Sequence, residues 1–197
     1  KSLATFDGIA DLRREMNLPH VPFFFLFKPA RAVTIFQTVH GFDYTFTSPP
    51  NQIISGPIIP QEYPPLTSEI IEWLDNSQDN RPVVYISFGT LAPMPNSTIT
   101  AILANIQGKN YRVLWSLRKD FQQVNPLVTD KLYNTRDVLI SAWVPQLAAL
   151  AHEKVKLFVS HCGFNSVHES LYMGKPIVAV PVFGDQFELA RRVQVSN

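Results

Sequence analysis

The amino-acid sequence predicts an α/β fold, in which a parallel sheet is covered by helices on both faces. From residue 81 onward, segments of strand length are apolar throughout, as in residues 83–88 (VVYISF). Such strands are typical of sheets whose two faces are both buried. They alternate with segments of helical periodicity, as expected for parallel strands joined by helices. Polar residues follow the ends of several strands, where ligands bind in sheets of this kind.

The first 81 residues contain a few regular segments and then a proline-rich stretch. Residues 57–65 hold four prolines, which is typical of an extended linker. Residues 19–31 are rich in Phe and Pro and predict no element. The predicted elements of this part are a helix over residues 5–18, strands over 32–38 and 52–56, and a helix over 69–74.

From residue 81 onward the pattern is regular. Five apolar segments are predicted to be strands, and three of the four segments between them show the apolar spacing of helices. No element is predicted between residues 118 and 137. The predicted strands cover residues 83–88, 111–117, 138–142, 155–160 and 176–180. The predicted helices cover residues 96–106, 147–151 and 166–173, and a last helix opens near residue 185.

Composition and charge exclude several classes of protein. Of the 197 residues, 46% are hydrophobic and 17% are charged, which suits a buried core and disfavours disorder. The net charge is +1 and the basic residues are not clustered, so we expect no nucleic-acid partner. The one cysteine, Cys162, cannot form an internal disulfide. Apolar runs such as residues 23–27 are far shorter than the ~20 residues of a membrane-spanning helix. Membrane association and localisation are left open.

Two common nucleotide-binding motifs are absent from the sequence. The eight glycines form neither G-x-G-x-x-G nor G-x-x-x-x-G-K. A dinucleotide-dependent oxidoreductase and a P-loop NTPase are therefore disfavoured.

The most informative segment covers residues 143–186, in which a predicted strand is followed at once by His161 and Gly163 and then by a helix. Gly163 allows a ligand to approach the backbone closely. The free N–H groups at the start of the helix, with its positive dipole end, suit a phosphate. His161, Asn165 and Ser166 add side-chain donors at the same place.

Carboxylate and amide side chains complete this candidate site. Glu169 lies four residues after Asn165 and three after Ser166, so it shares their helix face one turn deeper. A carboxylate there would repel a phosphate but could accept hydrogen bonds from a pair of sugar hydroxyls. Asp185 and Gln186 follow the next strand, at the same edge of the sheet. Together these groups predict a site for a diphosphate with hydroxyl groups on both sides.

Each of these features also has a purely structural interpretation. Ser166-x-x-Glu169 has the pattern of a capping box, and Asp185-x-x-Glu188 looks like a second helix cap. Such pairs satisfy backbone donors at a helix start and need no ligand.

The aromatic and imidazole side chains have structural interpretations as well. Trp143 could be a core tryptophan, and His161 could be a turn histidine whose hydrogen bonds are satisfied. For His152 and His168 we favour a structural role. The combination of residues over one short segment is harder to explain by structure alone.

Taken as a whole, residues 143–186 resemble the plant secondary-product glycosyltransferase box, the donor-binding signature of family 1 UDP-glycosyltransferases. The segment opens with W-x-P-Q, contains H-C-G-x-N-S-x-x-E, continues with G-x-P and closes with D-Q after 44 residues. Outside the box, residues 81–90 (RPVVYISFGT) resemble the first strand of the family's C-terminal domain. Residues 51–60 resemble the interdomain approach, and residues 12–19 the late part of the N-terminal domain.

The resemblance implies a GT-B architecture with two Rossmann-like domains and an active site in the cleft between them. Residues 1–56 would then be the C-terminal part of the N-terminal, acceptor-binding domain, and residues 57–81 the linker. Residues 82–197 would be the C-terminal UDP-sugar-binding domain, which we expect to be cut short at its end.

The resemblance also implies a role for each matching residue at the nucleoside end of the donor. Trp143 would stack on the uracil ring, because an indole face offers a flat surface to a base. Val144 would contact the uracil edge through its backbone. Gln146 would lie near the ribose, and Glu169 would accept hydrogen bonds from the ribose hydroxyls.

Further residues would hold the diphosphate and the transferred sugar. Asp185 and Gln186 would hydrogen-bond the sugar hydroxyls, and a closing Gln favours glucose over galactose. Phe164 stands beside the sugar, where plant members usually carry Trp, and this departure leaves the sugar identity open. The residues implied for the diphosphate are Thr90, His161, Gly163, Asn165 and Ser166.

The implied reaction is an inverting transfer of a hexose from a UDP-sugar to a small lipophilic or hydroxylated acceptor. A histidine early in the N-terminal domain, paired with an aspartate, removes the acceptor proton, and the donor site holds the charge of the departing diphosphate. No metal and no other cofactor is implied. His20 and His40 lie in the wrong part of the chain to be this base, so we expect it upstream of Lys1. We therefore expect the chain by itself to bind UDP or UDP-sugar weakly and to transfer no sugar.

Two other functions stay open at this point. The chain could be a non-catalytic donor-binding subunit or a truncated product that needs a partner to supply the base. It could also belong to a sugar-nucleotide epimerase or to an enzyme for a different donor base. The spacing from Trp143 to Gln186 and the presence of Glu169 disfavour the last two, because both match the uracil and ribose recognition of the UDP-transferase pattern.

Overall fold

The computed structural model describes residues 14–17, 33–38, 41–42, 50–91, 94–129 and 135–195, which fall into two compact units. The first unit takes in Lys1–Phe36 with Phe46–Ser55, and the second takes in Gln37–Thr45 with Gly56–Asn197. The first unit contains two parallel strands, β1 (Thr34–Phe36) and β2 (Gln52–Ile54), both shorter than predicted. The predicted helix over residues 5–18 lies mostly outside the described residues, and His20 and His40 lie outside them entirely.

The second unit is built on a five-stranded sheet in which every neighbouring pair of strands is parallel. This confirms the predicted α/β fold. Its strands are β3 (Val83–Ser87), β4 (Arg112–Ser116), β5 (Val138–Ser141), β6 (Val155–Ser160) and β7 (Ile177–Ala179). Its helices are α1 (Ser68–Leu74), α2 (Asn96–Ile106), α3 (Lys119–Val124), α4 (Pro126–Thr129), α5 (Gln146–Ala151), α6 (Phe164–Tyr172) and α7 (Gln186–Val195).

The order of the strands creates a switch point at the centre of the sheet. The order is β5-β4-β3-β6-β7, so the chain builds outward from β3 on one side and then returns to the other side at β6. The last residues of these two central strands, Ser87 and Ser160, are registered with each other. Ligands bind in the crevice at the carboxyl ends of strands where the order reverses, so the geometry places the candidate site beyond Ser87 and Ser160.

Helices cover both faces of the sheet. Successive strand residues point to opposite faces, and Tyr85 and Ile86 accordingly belong to two separate apolar clusters. The cluster of Ile86 includes Ile99, Leu103 and Ile106 of α2. The cluster of Tyr85 includes Ile70 and Leu74 of α1 and Ala149 and Leu150 of α5. Burial on both faces explains why most strand residues are apolar. Arg112 on β4 and Lys156 on β6 are exceptions.

The segment predicted as a linker is only partly extended. Residues 57–65 have no helix or strand, but α1 buries Ile70 and Leu74 completely within the second unit. The guanidinium of Arg112, on β4, donates hydrogen bonds to the carbonyls of Trp73 (2.6 Å) and Leu74 (2.8 Å) at the end of this helix. A cation there also complements the negative end of the helix dipole. The division into acceptor domain, linker and donor domain stays a prediction.

A buried carboxylate joins the segment after α1 to the sheet. The Asp79 side chain is 2% exposed and accepts hydrogen bonds from Arg81 (2.7 Å and 3.0 Å) and from Arg136 (2.9 Å). The Arg112 guanidinium lies 3.9 Å away and is 1% exposed. These hydrogen bonds, chiefly those from Arg81, hold the pKa of Asp79 well below its usual range.

Two helices have no counterpart among the predicted elements. The short helices α3 and α4, six and four residues long, lie where no element was predicted. Tertiary hydrogen bonds hold this segment: the Asn125 amide donates to Asn96 Oδ1 (2.5 Å) and to Thr100 Oγ1 (3.2 Å) on α2. None of the described helices is long and apolar enough to cross a membrane.

Candidate functional site

A cavity of about 580 Å³ opens at the carboxyl ends of the central strands. Its volume falls within the range of small-molecule sites. All twelve residues predicted for donor binding line it, although they come from segments up to 96 positions apart in the sequence. These residues are Thr90, Trp143, Val144, Gln146, His161, Gly163, Phe164, Asn165, Ser166, Glu169, Asp185 and Gln186.

Trp143 lies at the cavity with most of its indole exposed. It follows β5 and is 67% exposed, whereas Trp115 on β4 is completely buried. The interpretation of Trp143 as a core tryptophan is therefore wrong, and the core position belongs to Trp115. The next residue, Val144, is 3% exposed and packs in the cluster of Tyr85. Its side chain is thus occupied by the core, which leaves its backbone to meet a ligand.

Gln146 joins α5 to α6 through a hydrogen-bonded cluster. Its Nε2 donates to Glu169 Oε2 at 2.7 Å and to Ser166 Oγ at 3.1 Å. Burial raises the pKa of the half-buried Glu169 carboxyl, and the hydrogen bond from Gln146 opposes that rise. The cluster therefore presents a positioned oxygen acceptor to the cavity.

The start of α6 corrects the capping-box interpretation of Ser166 and Glu169. The helix begins at Phe164 with Gly163 as its N-cap, so Ser166 lies within the first turn instead of preceding it. Gly163 offers no side chain to cap the helix, and no side-chain cap bond is made. Backbone N–H groups at this nine-residue helix start are thus available to an anion at the cavity.

The Asp185-x-x-Glu188 pattern lies at the start of α7, which begins at Gln186. Glu188 accepts a hydrogen bond from Arg192 Nε at 3.2 Å, the usual i,i+4 pairing on a helix. Asp185 is exposed and lines the cavity. The side chain of Glu188 is therefore engaged with Arg192, one turn further along the helix.

The His161 ring fits between two glycines. A Cβ atom at Gly163 would lie 2.5 Å from His161 Nε2, and a Cβ atom at Gly89 would lie 2.7 Å from it. The imidazole thus fills the space that side chains at these two positions would need. Burial lowers the pKa of His161, an effect that a hydrogen bond to the Ser87 backbone and, less strongly, the Asp185 carboxylate oppose. The ring is therefore biased toward its neutral form.

The residues predicted for the sugar end differ in how far their polar atoms are already hydrogen-bonded within the protein. Gln186 is 4% exposed, and its Oε1 already accepts from the backbone N–H groups of Val182 (2.8 Å) and Phe183 (3.0 Å). Only its Nε2 donors are left for a ligand. Phe164 is 39% exposed and packs on His168, with ring centroids 4.1 Å apart.

The two histidines for which we favoured structural roles do not line the cavity. His168 is 3% exposed, and its Nδ1 lies 2.8 Å from the Phe164 carbonyl oxygen. His152 lies 3.3 Å from an Asp75 carboxylate oxygen.

Twelve further residues that line the cavity were not predicted from the sequence. Some could have been found from the strand ends, because Ser87 and Ser116 are the last residues of β3 and β4. Tyr63 and Pro64 come from the proline-rich segment and carried no signal. The missed residues are Tyr63, Pro64, Tyr85, Ser87, Gly89, Leu91, Ser116, Arg118, Ala142, Pro145, Leu147 and Phe183. Across the described part of the chain, no group of three His, Cys, Asp or Glu side chains could hold a metal ion.

Comparison with known proteins places this chain in a family. Residues 23–196 match the family described as UDP-glucoronosyl and UDP-glucosyl transferase. An anthocyanidin 3-O-glucosyltransferase of Solanum melongena is 39% identical over 141 residues, which cover 71% of this chain and 32% of that protein. The chain spans between 26% and 32% of the length of such curated relatives.

Solved structures show the same likeness. Os79 from O. sativa in complex with UDP is 31% identical, with a TM-score of 0.56 over 66% of this chain and 28% of that one. A UDP-glucose: anthocyanidin 3-O-glucosyltransferase in complex with UDP is 25% identical, with a TM-score of 0.63 over 81% of this chain and 37% of that one. The chain therefore belongs to the UDP-glucoronosyl and UDP-glucosyl transferase family, with the α/β architecture of its GT-B members.

Proposed function

We propose that the cavity binds a UDP-sugar and that this chain supplies the donor site of an inverting UDP-hexosyltransferase. The observation that carries the proposal is the placement of Trp143, Glu169 and His161 around one cavity at the switch point of the sheet. An exposed indole, a positioned carboxylate and a helix start suit a base, a ribose and a diphosphate in that order.

At the nucleoside end, the exposed face of Trp143 stacks on the uracil, and the Val144 backbone meets its edge. Base–aromatic stacking contributes about 1–3 kcal/mol per base. Glu169 accepts hydrogen bonds from the ribose hydroxyls, while Gln146 holds the carboxylate in place. A carboxylate whose burial is already compensated by one donor gains further from hydroxyl donors of a ligand.

At the diphosphate end, the backbone N–H groups that open α6 meet the phosphate oxygens together with the side chains of Asn165 and Ser166. Gly163 gives the phosphate access to this backbone. Neutral His161 donates one hydrogen bond, and Thr90 contributes from the turn after β3. Donors fixed in this way stabilise the charge that develops on the leaving diphosphate.

At the sugar end, Asp185 accepts hydrogen bonds from the hexose hydroxyls and Gln186 donates through Nε2. Phe164 packs against the sugar, and glucose is the sugar that we propose. In the reaction, an acceptor oxygen forms a bond to the anomeric carbon as the bond to the diphosphate breaks, and the acceptor proton passes to a general base. Small lipophilic or hydroxylated molecules are the proposed acceptors.

The general base is not among the described residues that line the cavity. His161 is the one imidazole there, and we assign it to the diphosphate. In the proposed organisation, residues 1–56 belong to the acceptor domain, 57–81 to the linker and 82–197 to the donor domain. The 197-residue chain then binds the donor without transferring sugar. A donor-binding subunit whose partner supplies the base is the alternative that this arrangement also supports.

The test is an isothermal titration of the 197-residue chain with UDP, with GDP as the comparison for the base. We expect saturable UDP binding that Trp143→Ala weakens about tenfold or more, since loss of stacking costs about 1–3 kcal/mol. Val124→Ala is the matched control, because Val124 is also an exposed apolar residue (62%) and does not line the cavity. A folded chain that binds no UDP, or binds it equally well without Trp143, would overturn the proposal. Assay of UDP-glucose turnover with a phenolic acceptor then tests whether the chain alone transfers sugar.

A further inference from the structure

Arg118 lines the cavity, and among the described lining residues it is the only one with a permanent positive charge. It follows β4 by two positions, so it stands at the carboxyl edge of the sheet beside the turn that follows β3. The pattern of the sequence did not single it out. Its side chain is 40% exposed, which leaves part of the guanidinium open to the cavity or solvent.

Three contacts fix the position of the guanidinium. Its Nε and one terminal nitrogen donate to the two oxygens of Asp120 at 3.1 Å and 2.5 Å. It lies 4.8 Å from the centroid of the Phe121 ring. Its other terminal nitrogen donates to the carbonyl oxygen of Thr90. Arg118 thus ties the start of α3 to the turn of Gly89 and Thr90, although residues 90 and 118 share no secondary-structure element.

The charges around the cavity make this placement consequential. Two carboxylates, Glu169 and Asp185, line the cavity, and His161 is biased toward its neutral form by burial. Asp120, which shares the charge of Arg118, does not line the cavity. A nucleoside diphosphate carries at least two negative charges into this surrounding. If Arg118 took no part, only neutral donors, from the backbone and from side chains such as Asn165 and Ser166, would face these charges.

We propose that Arg118 is a donor-binding residue specific for the diphosphate, which it serves in two ways. Its charge attracts the phosphate oxygens, and its hydrogen bond to the Thr90 carbonyl positions the turn that faces them. The proposal rests on the proposed donor site, and it adds to that site the cation that compensates the diphosphate. It predicts that loss of Arg118 weakens the binding of UDP but not the binding of uridine, because uridine occupies the nucleoside end and has no phosphate.

The experiment compares the affinities of UDP and uridine in the 197-residue chain by isothermal titration. For Arg118→Gln we expect about tenfold weaker UDP binding, as for loss of one charge-assisted contact, and unchanged uridine binding. Lys119→Gln is the matched control: it removes the same charge one position further on, from an exposed residue outside the cavity, and it should change neither affinity. Arg118→Lys keeps the charge and should recover part of the UDP affinity.

The outcomes separate this inference from the proposed function. Equal weakening of UDP and uridine in Arg118→Gln, or no weakening of UDP, overturns the role of Arg118 while the donor site stands. Absence of UDP binding in the folded wild-type chain counts against the proposed function instead. If Arg118→Gln does not fold, Arg118→Lys is the deciding variant, and the ratio of its UDP affinity to its uridine affinity is compared with that of the wild type. An equal ratio contradicts the positioning of Thr90 by Arg118. A lower ratio with unchanged uridine affinity supports it.

Discussion

The amide of Gln146 donates a hydrogen bond to the Glu169 carboxylate at 2.7 Å, across two helices that are separated by β6 in the sequence. Burial raises the pKa of Glu169, so keeping its carboxylate ionised in the folded chain costs free energy. The hydrogen bond from the Gln146 amide offsets part of this cost. A group that costs stability and lies in a ligand cavity is a candidate for function. This pair therefore links the packing of α5 on α6 to the proposed ribose site.

Replacement of Glu169 by Gln should separate stability from binding. The variant removes a half-buried charge and keeps an oxygen that can accept from Gln146, so we expect an unfolding temperature about 1–3 °C higher. UDP should bind about tenfold or more weakly, because a charge-assisted acceptor of ribose hydroxyls is lost. Thermal unfolding and UDP titration measure the two effects. Glu153→Gln, at an exposed turn residue outside the cavity, is the control. A destabilised variant with unchanged UDP affinity would contradict the assignment.

The fit of His161 against Gly89 can be tested with a second glycine of the same backbone conformation. Gly89 has φ +70° and Gly108 has φ +64°, but only a Cβ at position 89 would meet the imidazole. Gly108→Ala should cost about 1 kcal/mol from backbone strain alone. Gly89→Ala should cost more and should also weaken UDP binding, because the ring must move.

A double-mutant cycle isolates the contact between Gly89 and His161. In a His161→Ala background, Gly89→Ala should cost no more than Gly108→Ala, since the ring is gone. Urea unfolding of the four proteins gives the coupling free energy. A coupling near zero would mean that the ring and residue 89 do not compete for space.

The lowered pKa of His161 predicts a dependence of stability on pH. Below the ordinary histidine pKa of about 6.5, the unfolded chain binds a proton that the folded chain resists, so stability should fall as the pH drops through this value. In His161→Asn this part of the dependence should vanish. Unfolding midpoints in urea at pH 7.5 and pH 5.5 test it. Parallel losses in the wild type and the variant would show that His161 does not contribute.

Asp79 should be among the residues most important for stability. Asp79→Asn removes the charge that compensates Arg81, Arg136 and the buried Arg112, so we expect a loss of about 3 kcal/mol or more. The partly exposed pair of Glu188 and Arg192 is the control, and Glu188→Gln should cost less than about 0.5 kcal/mol. Urea unfolding measures both, and similar losses in the two variants would refute the special role of Asp79.

The elements that could be predicted from the sequence are those whose buried residues follow a regular spacing along the chain. The bounds of α2 and β6 agree with the prediction, because α2 repeats buried residues at helical spacing and β6 is an apolar segment of strand length. The short helices α3 and α4 could not be predicted, since contacts such as that of Asn125 with Asn96 stabilise them. The start of α6 was predicted two residues late, because Ser166 has the residue type of a cap while Gly163 occupies the position.

The residues of the candidate site were predictable to the extent that one segment contains them. The 44-residue segment carries the indole, the helix start, the carboxylate and the two residues after β7 in fixed order, and a family resemblance could therefore be seen without a structure. Arg118, Tyr85 and Tyr63 come from other segments, and nothing in their own neighbourhood marks them as lining residues. Ser116 is marked only by its place at the end of β4.

The alternation of buried strands and helices, the family and the set of polar groups after the strands follow from the amino-acid sequence, because all of these depend on neighbours along the chain. The position of β6 beside β3 does not follow from the sequence and is a result of the tertiary fold. That placement brings Gly89 against His161 and sets Thr90 and Arg118 at the same cavity. The physical reason is that strand order is selected by the packing of both sheet faces at once, a long-range property that no local periodicity records.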